Sequence, residues 1–185
     1  SVPLITLTAA DDVAFGRLAK RHARRLGSHP GVGRALEAGN LFLTICDPTD
    51  RRKNLASIIE GFLIATGDRE DAVLMVKLLN WGQMESPSAS LFHQIRALFG
   101  HPHCLHEERV LFFSGAFSEG EMSRLYTAAD FYVSAALGEG QNMSLLEAMA
   151  NGCIPVSVRN TAMADYVDAA AGVVVAERRF PSLIP

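Results

Sequence analysis

Apolar runs of strand length alternate with helical patterns along most of this chain. Several of these runs are continuous rather than alternating, which is typical of strands in a parallel sheet that is covered on both faces. The predicted strands are Leu4–Thr8, Leu41–Cys46, Ala72–Leu79, Val110–Ser114, Phe131–Ala136, Ile154–Val158 and Val173–Val175. The predicted helices are Asp11–Leu26, Asn54–Thr66, Ser90–Phe99, Glu119–Ala129, Ser144–Ala150 and Ala162–Val167. This order predicts an α/β protein with a doubly wound, Rossmann-like parallel sheet, whose ligands bind at the carboxyl ends of the strands.

Residues 1–40 and residues 41–185 are expected to form different parts of the protein. The first part holds one strand, one helix and a glycine-containing linker, and the second holds the Rossmann-like domain. A chain of 185 residues suits one domain of ordinary size with a buried core. It begins without a methionine and stops just after a strand-like run, so we expect it to be cut from a longer protein.

The composition is that of a globular protein, with 49% hydrophobic and 20% charged residues. A formal net charge of −3 gives no general attraction to nucleic acid, so no nucleic-acid partner is expected. The longest apolar runs fall short of the ~20 residues that a membrane-spanning helix needs. Three widely spaced cysteines, Cys46, Cys104 and Cys153, argue for a reducing, cytoplasmic compartment. Cys46 and Cys153 lie in apolar runs and are expected to be small core residues.

An acid flanked by glycines, Glu139, follows the predicted strand Phe131–Ala136, and a tight turn then leads into a helix. The first N–H groups of that helix lack partners within it, so its N-terminus is suited to bind phosphate. A second acid, Glu147, lies eight residues after the first. Two carboxylates can accept hydrogen bonds from sugar hydroxyls. The combination predicts binding of a sugar that is attached to a phosphate.

The same stretch resembles the donor-site signature of retaining glycosyltransferases with the two-lobed GT-B fold, the group 1 or family 4-like enzymes. The resemblance rests on a glutamate, seven residues, a second glutamate, and then Ala-Met-Ala-x-Gly-x-x-Pro-Val, which here ends at Val156. It implies that Glu139 is a catalytic residue beside the transferred sugar and that Glu147 bonds the ribose. It also implies contacts with the sugar and the distal phosphate from five residues that follow Glu139, which are Gly140, Gln141, Asn142, Met143 and Ser144.

Three consecutive cations, Arg51, Arg52 and Lys53, follow the predicted strand Leu41–Cys46 and lead into a helix. Cations at the mouth of a parallel sheet can neutralise a pyrophosphate. The family places a lysine at this junction, which implies that Lys53 binds the diphosphate. Many members carry Gly-Arg at the strand end, where this chain has Cys46-Asp47, and Arg52 is the candidate to supply that charge. The alternative is a charged loop that only opens a helix.

Lys77 interrupts the apolar run Ala72–Leu79 near its carboxyl end, from which it can reach the ligand crevice and bind the donor. The alternative is that this strand lies at the edge of the sheet, where the lysine ammonium can reach water, because lysines are rarely buried without a partner.

Glu147 also has an alternative role. Ser144-Leu145-Leu146-Glu147 fits a capping box, in which the acid would only start a helix.

Two further segments carry weaker signals. Thr161–Asp165 loosely matches a small-residue loop followed by an acid in the family, and a plain helix N-terminus explains it equally well. His101–His106 holds three histidines and a cysteine, but a polar loop is favoured over a zinc site because the ligands lie in one short segment. Neither a P-loop nor a G-x-G-x-x-G fingerprint is present. We therefore expect no metal and no cofactor.

The resemblance implies the donor-binding lobe of a metal-independent, retaining glycosyltransferase that moves a hexose from a nucleoside-diphosphate sugar to a glycan or lipid acceptor. A facing N-terminal lobe is expected to complete the enzyme, and the fragment alone to bind donor without turnover. The alternatives are another GT-B-type enzyme, such as a sugar epimerase or phosphorylase, and a non-catalytic interaction domain. The basic side of the predicted helix Asp11–Leu26 is interpreted as solvated, with a membrane or lobe contact in the full-length protein as the alternative.

Overall fold

The computed structural model describes residues 4–6, 39–67, 69, 71–79, 109–114 and 116–176. The strands are β1 (Leu4–Thr6), β2 (Asn40–Cys46), β3 (Ala72–Leu78), β4 (Val110–Ser114), β5 (Phe131–Ser134), β6 (Ile154–Val158) and β7 (Val173–Val175). The α-helices within these residues are α1 (Leu55–Thr66), α2 (Glu119–Ala128) and α3 (Met143–Ala150). Two short 3₁₀ helices, Arg51–Lys53 and Thr161–Asp165, follow β2 and β6.

All seven strands are parallel and form one sheet in the order β1-β4-β3-β2-β5-β6-β7. The six strands from β2 onward follow the order of a doubly wound Rossmann sheet, with β1 added beyond β4. The chain therefore reverses its direction of winding between β2 and β5, which pair through Phe42 with Phe131 and Leu43 with Tyr132. In such sheets the ligand crevice opens at the carboxyl ends of the two strands at this switch point. The predicted fold class is confirmed.

Two hydrophobic clusters cover the two faces of the sheet. Side chains alternate between the faces of a strand, so Val73 and Met75 pack with α2 and α3, whereas Leu74 and Val76 pack with α1. All seven residues of β3 are buried, because this strand lies in the interior of the sheet and is covered on both sides. This is why its sequence is almost continuously apolar.

Most predicted boundaries lie within two residues of the observed ones, and one predicted helix is wrong. The stretch Ala162–Val167 forms the 3₁₀ helix Thr161–Asp165 instead, because Thr161 has a positive φ of 43° and the turn ends at Tyr166. The predicted helices Asp11–Leu26 and Ser90–Phe99 lie outside the described residues. So do most of the linker, Cys104 and the histidine cluster His101–His106.

Cys46 and Cys153 are free thiols in the core, as predicted. Burial raises the pKa of Cys46 to about 12 and that of Cys153 to about 11, so both stay protonated at neutral pH. Within the described ranges, no helix is both long enough and apolar enough to cross a membrane.

Candidate functional site: a cation and a carboxylate at the switch point

The loops that follow β2 and β5 meet at the switch point and are joined by three hydrogen bonds. Leu137 N–H donates to the Arg52 carbonyl at 2.8 Å, and Asn54 Nδ2 donates to the Ala135 carbonyl at 3.3 Å. The third bond is an ion pair, in which Lys53 Nζ lies 2.5 Å from Glu139 Oε1. These bonds fix the two loops against each other at the edge where ligands of this fold bind.

The Lys53–Glu139 pair is largely shielded from water. The side chain of Lys53 is 23% exposed and that of Glu139 is 9% exposed. A positive and a negative group thus lie together at the mouth of the crevice, one from each of the two sequence motifs. An ammonium can bind phosphate oxygens and a carboxylate can accept from hydroxyls, so one ligand that carries both groups can engage both side chains.

Local turns place Lys53 at this position. Asp50 caps the 3₁₀ helix by accepting from the N–H of Arg52 at 3.0 Å, and Asn54 ends it with a positive φ of 54°. Asp47 builds the preceding turn, because its Oδ1 accepts from both the N–H and the hydroxyl of Thr49, at 2.8 and 2.6 Å. The acid at the strand end therefore has a structural role in this chain.

Arg52 does not point to Glu139 in the way that Lys53 does. Its guanidinium forms a two-bond pair with the carboxylate of Asp50, at 3.0 and 2.8 Å, and its side chain is 66% exposed. The bond from Arg52 lowers the pKa of Asp50, and the bond to Asp50 raises the pKa of Arg52. Arg51 is also exposed. The structure thus brings Lys53 into contact with the second motif and leaves both arginines at the surface.

Helix α3 begins differently from the capping-box alternative. Its N-cap is Asn142, which has a positive φ of 54° and is buried, with Nδ2 donating to Ser134 Oγ at 3.0 Å. Ser144 is therefore inside the helix, and the box does not form. The N–H groups of Met143 and Ser144 have no acceptor within the helix by position. Since Gly140, Gln141 and Met143 are exposed, this N-terminus faces solvent, as an anion-binding site requires.

Glu147 is exposed on the second turn of α3 and is held by a residue that sequence reasoning missed. The phenol of Tyr126 on α2 donates to Glu147 Oε2 at 2.7 Å. Burial, and then this bond, raise the pKa of Tyr126. One carboxylate oxygen is engaged by the tyrosine, and the other remains able to accept from a ligand hydroxyl. No sequence signal links these residues, because the packing of α2 on α3 brings them together.

The turn after β6 supplies further contacts that the sequence did not indicate. The N–H of Glu139 donates to Thr161 Oγ1 at 3.0 Å, and Tyr166 OH donates to the carbonyl of Gln141 at 2.8 Å. The loosely matched Thr161–Asp165 segment thus contacts the segment that carries the first acid.

Lys77 is 1% exposed and lies on β3 between β2 and β4, so the edge-strand alternative is wrong. Its Nζ donates to the Leu78 carbonyl at 3.2 Å and lies 4.4 Å from the centroid of the Phe117 ring. Burial lowers the pKa of Lys77. In register it is level with Ile45, one residue before the end of β2. The ammonium therefore lies at the carboxyl edge of the sheet, one strand away from the switch point.

Several solved structures share this fold, glycosyltransferases among them. The pneumococcal O-GlcNAc transferase GtfA, solved with UDP and GlcNAc, is 16% identical with a TM-score of 0.59 over 77% of this chain and 25% of its own. A UDP-forming trehalose-phosphate synthase from Burkholderia xenovorans is 15% identical with a TM-score of 0.63, over 94% and 40%. WaaG, a glycosyltransferase involved in lipopolysaccharide biosynthesis, is 22% identical with a TM-score of 0.56, over 85% and 37%.

This chain thus spans about a quarter to two fifths of the length of these relatives, and its fold is that of one lobe of the GT-B architecture. A search of the curated proteins found no match. The family model for glycosyl transferases group 1 matches residues 42–184, which takes in both motifs and the sheet from within β2 to β7. Because that match covers most of its length, the chain belongs to the glycosyl transferases group 1 family.

Proposed function

We propose that this chain is the donor-binding lobe of a retaining glycosyltransferase and that it holds a nucleoside-diphosphate sugar in the crevice between β2 and β5. One observation carries the proposal. Lys53 and Glu139, which come from two separate sequence motifs, form an ion pair at the switch point of the sheet. A diphosphate sugar offers an anion to the first and hydroxyl groups to the second.

Each group has a separate role in this proposal. Lys53 and the exposed N–H groups at the start of α3 bind the diphosphate, and they stabilise the negative charge that builds up on it as the sugar leaves. Glu139 orients the transferred sugar. Glu147, held by Tyr126, accepts from the ribose hydroxyls. Lys77 contributes positive potential from beneath the crevice, and Arg52 contributes only after its pair with Asp50 opens.

The complete enzyme, in this proposal, moves a hexose to a glycan or lipid acceptor that is bound by a facing lobe. The chain alone then binds the donor without turnover, because in this proposal the acceptor is bound by the facing lobe. A cytoplasmic location with peripheral membrane contact suits a soluble nucleotide-sugar donor and a lipid acceptor. The GtfA structure contains UDP, which makes UDP conjugates the first donors to try.

A second function, a non-catalytic interaction domain with this fold, is favoured by the residues at the end of β2. Asp47 stands where many family members have an arginine, and its carboxylate is engaged in the turn with Thr49. Arg52, the candidate replacement, is paired with Asp50. If neither supplies the missing charge, diphosphate affinity depends on Lys53 and the start of α3 alone.

Calorimetric titration with UDP, GDP, ADP and their common sugar conjugates tests the proposal. We expect saturable binding of one diphosphate, which is lost in Lys53→Ala and kept in Arg69→Ala. Arg69 is a suitable control because it is an exposed cation paired with Asp71 at the opposite edge of the sheet. An absence of binding both by the chain and by the chain joined to its facing lobe would overturn the proposal in favour of the interaction domain.

A further inference from the structure

The backbone of Glu139 is held by the turn that follows β6. Its N–H donates to Thr161 Oγ1 at 3.0 Å, and its carbonyl accepts from the N–H of Ala162 at 3.4 Å. Tyr166 holds the same segment two residues later, through the carbonyl of Gln141. The position of Glu139 therefore depends on the turn after β6 as well as on its own ion pair with Lys53.

The hydroxyl of Thr161 is both a hydrogen-bond donor and an acceptor. It donates its single proton to Asn160 Oδ1 at 3.3 Å and accepts from the N–H of Glu139. Asn160 is itself anchored, because its Nδ2 donates to the carbonyl of Ala136 at 3.1 Å. A serine in place of Thr161 can form both bonds, whereas a valine of the same shape can form neither.

Thr161 adopts an unfavourable backbone conformation to make these bonds. Its φ of 43° lies in the left-handed region, which a β-branched residue rarely enters and a glycine enters freely. Strain of this kind persists only where the surroundings impose it, and it is concentrated at functional sites. The side chain of Thr161 therefore contributes something that a glycine at this position lacks, and the hydroxyl bond to Glu139 is that contribution.

We propose that Thr161 is a positioning residue that acts through Glu139, fixing the carboxylate beside the sugar of the donor. The inference rests on the proposed function. It assigns Thr161 to the recognition of the sugar and not of the diphosphate, since its described bonds are to Glu139 and Asn160 rather than to Lys53 or the start of α3. The extra affinity that the sugar adds to the diphosphate depends on Thr161, and the affinity for the diphosphate alone does not.

Three substitutions of Thr161 separate the hydroxyl from the backbone. Thr161→Ser keeps the hydroxyl, Thr161→Val keeps the shape without it, and Thr161→Gly removes the hydroxyl while relieving the strained φ. Thr127→Val is the matched control, because it removes an exposed hydroxyl whose bond, among the described residues, is to the Ser123 carbonyl within α2. Each variant is titrated with UDP, UDP-glucose and UDP-N-acetylglucosamine. Amide hydrogen exchange of Glu139, followed by NMR, reports its N–H bond without any ligand.

The ratio of the Kd for UDP to the Kd for the tighter-binding conjugate is the deciding quantity. We expect it to fall about fivefold in the valine and glycine variants and to stay within about twofold of wild type in the serine and Thr127 variants. Exchange of the Glu139 amide should accelerate in the same two variants. A wild-type ratio in Thr161→Val, or its recovery in Thr161→Gly, would overturn the positioning role while leaving the proposed function intact. Wild-type protein that binds UDP at least as tightly as it binds both conjugates would also overturn it. Wild-type protein that binds no diphosphate, either alone or joined to its facing lobe, contradicts the proposed function itself.

Discussion

Lys53 and Glu139 are 86 residues apart in the chain, yet the Nζ of one lies 2.5 Å from the Oε1 of the other. Both side chains are mostly shielded from water, so each is the neutralising partner of the other. A ligand that engages both must therefore separate or re-aim the pair. The contact thus connects the stability of the crevice with the binding of its ligand.

The losses of stability in the two single variants of the Lys53–Glu139 pair should add up to more than the loss in the double variant. Lys53→Ala leaves the carboxylate of Glu139 without its cation, and Glu139→Ala leaves the ammonium of Lys53 without its anion. We expect a coupling energy of about 1 kcal/mol from the two single variants and the double variant. Urea denaturation measures it. Additive single effects would show that the pair contributes nothing net to folding.

Lys53 and Glu147 should affect different parts of the nucleotide. Lys53→Ala should weaken the binding of UDP by about 1.5–3 kcal/mol, the contribution of a hydrogen bond to a charged group, and should leave the binding of uridine unchanged. Glu147→Ala should weaken the binding of UDP and of uridine equally, by about a kcal/mol or more, since both ligands carry the ribose. Calorimetry with both ligands gives the comparison. Equal losses for UDP and uridine in Lys53→Ala would contradict its phosphate role.

Tyr126→Phe isolates the residue that holds Glu147. The substitution removes only the hydroxyl that donates to Glu147 Oε2. The affinity for uridine should fall, but by less than in Glu147→Ala, because the carboxylate remains and loses only its fixed position. An unchanged affinity in Tyr126→Phe, beside a reduced one in Glu147→Ala, would show that Glu147 acts without this support.

Lys77→Met should stabilise the protein at neutral pH, on the order of 1 kcal/mol, and weaken diphosphate binding. Burial lowers the pKa of Lys77 below its ordinary value near 10.5, so the folded state binds this proton less tightly than the unfolded state does. The cost is complete below the lowered pKa and disappears as pH rises through it to the ordinary value. Wild-type stability should therefore approach that of Lys77→Met as pH rises.

Chemical denaturation across this pH range checks the sign. Met75→Leu serves as the control, because Met75 is buried on the same strand and on the same face, and carries no titratable group. Its effect on the free energy of unfolding should not change with pH. A difference between wild type and Lys77→Met that is also constant with pH would show that the contacts with Phe117 and Leu78 offset desolvation in full.

The sheet could be predicted from sequence because continuous apolar runs, such as β3, occur where a strand is covered on both faces. The order of strands follows from the handedness of parallel crossovers, which places the ends of β2 and β5 side by side. Glu139 and Lys53 can be predicted because each lies in the loop after a strand, in a stretch that resembles the family. Their contact with each other depends on the switch point, which the sequence does not mark.

The supporting residues could not be predicted in the same way. Thr161 lies in a segment that loosely matches the family, but its contact with Glu139 cannot be predicted, because a positive φ is unusual for a β-branched residue and local propensity argues against it. The bond from Tyr126 to Glu147 cannot be predicted because the two residues lie on different helices. Asn142, rather than Ser144, is the N-cap of α3, because its buried side chain forms a hydrogen bond with Ser134. In each case a tertiary contact overrides the local pattern.

Arg109 should contribute strongly to the stability of the protein and should not affect nucleotide binding. It is 0% exposed at the start of β4, and its guanidinium donates to three oxygens at the end of α1: Thr66 Oγ1 at 2.7 Å, the Gly67 carbonyl at 2.6 Å and the Arg69 carbonyl at 2.9 Å. A cation at this end also interacts favourably with the helix dipole. Arg109→Met removes all three of these hydrogen bonds.

We expect Arg109→Met to lower the free energy of unfolding by about 3 kcal/mol, because three hydrogen bonds from a buried guanidinium are lost together. Arg69→Met is the matched control, since that arginine is exposed and pairs with Asp71 at the same end of the sheet, and its effect should stay within about 0.5 kcal/mol. Urea denaturation compares the two variants.

The folded fraction of Arg109→Met should bind UDP as wild type does, because the guanidinium lies at the edge of the sheet opposite the crevice. A loss of UDP affinity in folded Arg109→Met would show that the end of α1 is coupled to the Lys53 loop at its start.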